Sequence, residues 1–201
     1  MTKVTLKMTW TQQEADMSIY DYAEMSPNKL LKKLDLWSVP VDLESICEKL
    51  GVETKTSTDW GKSHSGEITV DGNRKIHIWV NGFDAPNRQR FTLAHEIAHL
   101  INDIIPDLDN IGVNDSFKDE DFTLNRDGRQ DPVEYRANDY AARLLMPKPL
   151  IIQHGKQLIK RLKEVLNVDK VPLTKFISSM SAEFKVSEQA MEIRLKTLDL
   201  I

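Results

Sequence analysis

Apolar and polar positions change period along this chain, and the changes mark its elements. From Pro27 (PNKLLKKLDLW) apolar residues recur at helical spacing as far as Val39-Pro40, so residues 1–40 read as an N-terminal arm with a helix. Asp42 then stands where an N-cap belongs for LESICEKL, with Leu43, Ile46, Cys47 and Leu50 on one face and Gly51 at its end. At Gly66 the helical period gives way to alternation. GEITV and KIHIWVN, joined through Asp71, Gly72 and Asn73, predict two strands and a hairpin, with Ile76, Ile78 and Val80 alternating with Lys75, His77 and Trp79. After Asn81-Gly82 a helix is predicted that carries Phe91, Leu93, Ala94, Ile97, Ala98, Leu100 and Ile101. Residues 102–133 are acidic and rich in turn formers, a long surface loop with room for a short strand; such loops beside a site commonly serve as lids or rims. A second helical pattern, VEYRANDYAARLLMP, follows Pro132 and stops at Pro147 and Pro149. Residues 150–201 are helical in pattern, with breaks at VDKVP and near Ser187.

These elements predict an α+β class: a small sheet packed on two helices, followed by a helical region. The expected division is an arm or extra helix at 1–40, a central domain at 41–149 and a helix-turn-helix-like region at 150–201.

Composition narrows the functional classes. Charged residues make up 29% of the 201 and the net charge is only −4, so nothing global demands nucleic acid or an anionic membrane. A single cysteine, Cys47, allows neither an intramolecular disulfide nor a cysteine-based zinc knuckle, which suits a reducing cytosol. The start, MTKVTLKMTWTQQEADMS, lacks a signal-peptide apolar region, and no run approaches the roughly 18 apolar residues a membrane span needs. A cytoplasmic protein that meets its substrate inside the cell is expected. Asp107, Asp109, Asp119, Glu120 and Asp121 do not have EF-hand spacing and read as a solvated loop.

The chemistry lies in FTLAHEIAHL. Positions four apart on an α-helix differ by about 40° around the axis, so His95 and His99 project side by side. Two imidazoles so placed can reach one Zn²⁺, and Glu96 can reach a water beside it without binding the ion. Such a carboxylate can take the water's proton and return it to a leaving amine. The same residues would also suit a core helix with hydrogen-bonded histidines. A third ligand decides between the two readings, and Glu134 in the second helix offers one, with Asn138 a turn later on the same face, placed to hydrogen-bond a ligand. Small Ala137, Ala141 and Ala142 let that helix pack closely, although a glutamate in a first turn is also favoured by the helix dipole alone.

Together, RQRFTLAHEIAHL and EYRANDYAARLLMP resemble the signature of the ImmA/IrrE family of zinc metallopeptidases. PVDLESICEKLGVE resembles that family's opening helix, KIHIWVN its edge strand and VSEQAMEIRLKTLDL its closing helix, so the likeness covers about residues 39–201. It implies a zincin-like metallopeptidase fold, zinc on His95, His99 and Glu134, Glu96 as general base, and a protein substrate such as a helix-turn-helix repressor or antitoxin. The family often has another acidic residue where this chain has Arg136, and Asp139, the nearest competitor for the metal, points about 140° from Glu134. Tyr140, Arg143 and His154 are candidates for oxyanion stabilisation, and strand 75–80 for pairing with an extended peptide, its alternative being an ordinary inner or capped strand. His77 reads as a strand-face residue.

Two rival readings remain. FKVSEQAMEIRLKTL resembles the turn and second helix of a helix-turn-helix, with Ser187 as N-cap, but Ala190, Met191 and Leu195 are spaced to pack inward and Glu188 and Glu192 would repel phosphate. Alternatively the zinc is present but idle, and the chain regulates through protein or DNA binding, as a toxin-antitoxin component would.

Overall fold

The computed structural model describes residues 18–59, 61, 63–112, 116–118 and 131–201. Residues 1–17 of the expected arm and Asp119, Glu120 and Asp121 of the acidic loop lie outside the described residues.

Helix α1 (Pro27–Lys33) starts with proline at its first position and ends before Asp35, whose φ is +55°, earlier than the expected stop at Val39-Pro40. Helix α2 (Leu43–Lys49) is capped as the sequence indicates: the Asp42 carboxylate accepts the Ser45 N–H at 3.0 Å. Gly51, at φ +71°, then turns the chain into strand β1 (Glu53–Ser57). No alternation announces β1, because its polar residues are almost all exposed.

Strands β2 (Gly66–Val70) and β3 (Ile76–Asn81) form the predicted hairpin. Its turn is tightened by the Asp71 carboxylate, which accepts the N–H groups of Asn73 at 2.8 Å and Lys75 at 2.9 Å. Short strand β4 (Ser116–Lys118) completes a sheet of order β1-β3-β2-β4. Strand β3 runs parallel to β1 and antiparallel to β2, so both of its edges are paired. The expectation that strand 75–80 is an edge open to a peptide is therefore corrected: the unanticipated β1 fills that edge.

Ile68, Val70, Ile76, Ile78 and Val80 share one buried face of the sheet. Helix α3 (Pro86–His99) packs there with Leu93, Ala94, Ile97 and Ala98 buried. Burying each large aliphatic side chain contributes about 1.5–3 kcal/mol. The helical path does not stop at Leu100; a π turn (Leu100–Ile104) and a 3-10 turn (Ile105–Asp107) carry it into the segment read as loop, and bury Ile101, Ile104 and Ile105. Helix α4 (Pro132–Leu145) starts where Asp131 caps the Val133 N–H at 2.8 Å. It packs more extensively on α3 than on any other element, with Ala137 and Ala141 buried.

Helices α5 (Lys148–Leu166), α6 (Leu173–Phe184) and α7 (Glu188–Thr197) follow, broken where the sequence indicated. Ser187 caps α7 by accepting the Ala190 N–H at 3.1 Å. Buried Arg194 of α7 donates from Nε to the Met146 carbonyl at 3.1 Å, tying the last helix to the end of α4.

Candidate metal centre

The α3–α4 packing brings residues 95, 99 and 134 to one point. The Nε2 atoms of His95 and His99 lie 2.9 Å apart. Glu134 Oε2 lies 3.1 Å from His95 Nε2, and Oε1 lies 3.4 Å from His99 Nε2. Donors bound to one tetrahedral ion at about 2.0–2.1 Å stand about 3.3 Å from one another, so the three spacings suit a metal ion. Among the described residues, these three are the His, Cys, Asp or Glu side chains grouped closely enough to hold one.

The far sides of the rings set their tautomers. His95 Nδ1 faces Asn138 Oδ1 at 3.1 Å, and His99 Nδ1 faces Asp103 Oδ2 at 2.9 Å. Both partners can accept, so each Nδ1 can donate, and both Nε2 atoms turn toward the Glu134 carboxylate. Two ring nitrogens and a carboxylate converging at such distances could hold a cation between them. Burial opposes the charged form of His99, but hydrogen bonds to Asp103 and Glu134, with the charges of Glu134 and Glu96, push its pKa up to about 10. Hydrogen bonds from His95 and His99 hold Glu134 far below the usual carboxylate range.

Glu96 lies outside this cluster. It is 1% exposed, on α3, with its carboxylate against the start of β2 at Gly66. Asp103 is the residue the sequence reading missed: one turn after His99, it holds that ring and pairs with Arg136 at 3.4 Å. Its i+4 spacing from His99 is the signal that could have found it.

The oxyanion candidates have other engagements. The Tyr140 hydroxyl donates to the Met25 carbonyl at 2.8 Å, and Arg143 pairs with Asp139 at 3.2 Å. His154 lies on α5 near Glu183, at 3.5 Å, and edge-on to Phe184. Asp139, the possible competitor of Glu134, thus turns to Arg143. His77 bridges Glu53 and Asp71, each at 3.2 Å, on the outer face of the sheet.

Comparison with known proteins places the chain in a family. The profile of the peptidase M78 family, described as the IrrE N-terminal-like domain, matches residues 47–196. The chain is also 35% identical over 80 residues to the radiation response metalloprotease IrrE of Deinococcus radiodurans, a stretch that is 38% of this chain and 21% of that protein. The chain therefore matches about a fifth of that relative's length. Because the profile runs from the end of α2 through most of α7, including both helices that meet at the candidate metal centre, this chain belongs to the IrrE N-terminal-like peptidase family.

Proposed function

We propose that the chain is a cytosolic zinc-dependent endopeptidase that hydrolyses a peptide bond in a protein substrate, a helix-turn-helix repressor or antitoxin. One observation carries the reading: His95, His99 and Glu134 converge with both imidazoles fixed from behind, and Glu96 stands one residue from the first of them. The relative named a metalloprotease supports it. Two neutral imidazoles and one carboxylate are a donor set that suits zinc, and leave a fourth position open.

Zinc bound there would supply Lewis acidity, polarising the scissile carbonyl and acidifying a water. His95, His99 and Glu134 would hold the ion. Asn138 and Asp103 keep the two rings aimed at it. Glu96 accepts the proton of the attacking water and returns it to the leaving amine. Burial of Glu96 keeps bulk water from competing for that proton. In this reading residues 41–149 form the catalytic unit, with the helical region 150–201 behind it and the arm 1–40 before it.

The test is a cleavage assay with the repressor-like or antitoxin-like protein encoded beside this chain. Wild type is expected to yield two fragments, and Glu96→Gln to retain zinc but yield none. Equal cleavage by Glu96→Gln would remove the base assignment.

A further inference from the structure

Gly66 opens β2, and the side chain it lacks is what matters there. A Cβ at this position would stand 2.6 Å from Thr92 Cγ2 and 3.0 Å from Glu96 Cδ, and closer still to Glu96 Oε1. The φ of Gly66 is not in the left-handed region, so glycine is required by space and not by backbone conformation. The strand is also pinned. The Ser65 hydroxyl accepts a hydrogen bond from Arg88 of α3 at 3.3 Å, while the Ser65 carbonyl accepts the Asn81 N–H at 2.8 Å. Asn81 Nδ2 donates in turn to the His64 carbonyl at 3.2 Å. Arg88, Thr92 and Glu96 are four residues apart, so the helix stripe that clamps the strand also carries the carboxylate.

We propose that Gly66 is a positioning residue for Glu96: the bare backbone of β2 is the wall that sets where the carboxylate stands beside His95, His99 and Glu134. This rests on the reading of Glu96 as general base. Both groups an added Cβ would meet are buried, but Thr92 is short and β-branched, whereas the Glu96 carboxylate is the far end of a flexible side chain. The carboxylate is the group that yields. Gly66→Ala therefore displaces the base while the metal ligands stay in place.

The experiment compares wild type, Glu96→Gln, Gly66→Ala and Gly66→Ala/Thr92→Ser; the last removes the methyl that meets the new Cβ. Two quantities are read on each folded protein: zinc affinity by chelator competition, and the affinity of acetohydroxamic acid for the cobalt-loaded protein by visible absorption. A hydroxamic acid chelates through two oxygens and gives its proton to an adjacent base, so its affinity reports where the base stands. Zinc affinity is expected to stay within about threefold of wild type throughout, while hydroxamate affinity falls by about tenfold or more in Glu96→Gln and in both Gly66 variants, the loss of a charged hydrogen bond. Wild-type hydroxamate affinity in the Gly66 variants, with Glu96→Gln weakened, would overturn the role of Gly66 and leave the base reading standing. Wild-type affinity in Glu96→Gln would instead overturn the base reading. Loss of zinc affinity in the Gly66 variants, or failure of both to fold, would show that Gly66 supports the fold or the ligands, and would overturn the proposal.

Discussion

At His95 and His99, the ring nitrogens facing away from the cluster decide what the nitrogens facing it can do. Asn138 and Asp103 fix both tautomers, so removing either lets a ring rotate or present its proton to the metal. Asp103→Ala and Asn138→Ala are each expected to weaken zinc binding by about 10–100-fold, measured by competition with a calibrated chelator. The same contacts give the metal-free protein a pH signature. The pKa of His99 is raised to about 10 in the folded state against about 6.5 unfolded, so its stabilising contribution is complete below about pH 6.5 and is lost as pH rises through 10. Urea melts of chelator-treated protein at pH 6.5, 8.5 and 10.5 should show midpoints falling over that range, and His99→Gln should flatten the fall. Helical spacing in the sequence sets His95 beside His99 and Glu134 beside Asn138, but it was the family resemblance that joined the two helices into one candidate site. Asp103 has the same spacing, but Pro106 and the acidic residues after it read as loop, and that concealed it. Gly66 was not legible at all, since the crowding that requires it arises between β2 and α3, far apart in sequence.

Among the elements, alternation made β2 and β3 visible, and end signals made α2, α4 and α7 visible through Asp42, Pro132 and Ser187. Strand β1 was hidden because an exposed edge strand need not bury anything, and the edge position suggested for β3 came from the family resemblance. The α3–α4 contact matters most for the site, and buried alanines on α4 let it form. Ala141→Leu is expected to cost about 1–3 kcal/mol by overpacking, and also to lower zinc affinity because Glu134 lies two turns earlier on the same helix. Thermal melts and a zinc titration of the same variant check both effects. Helix α7 buries Met191, Arg194 and Leu195, and Arg194 is committed to the Met146 carbonyl, so the helix has its basic centre turned inward. A mobility-shift assay with random duplex DNA at low salt should show no retained band; retention that falls steeply with salt would revive the DNA-binding reading.

At the scale of the whole molecule, a small mixed sheet with helices and a His-His-Glu cluster agrees with the α+β, zincin-like class that the two motifs implied. Family membership was legible because it rests on short helices whose residues meet at one point, and the profile covers them both. Among the described residues no helix is long and apolar enough to cross a membrane. The substrate was not legible, because it is chosen by surfaces and by a partner rather than by the ion-binding residues. Every catalytic role proposed for these residues depends on a metal at His95, His99 and Glu134, and the most direct measurement is the metal content of the purified protein, with an equilibrium zinc titration. One zinc per chain, bound at micromolar affinity or tighter and lost on Glu134→Ala, is the expected result; no zinc in the purified protein and none taken up at micromolar concentration would contradict it.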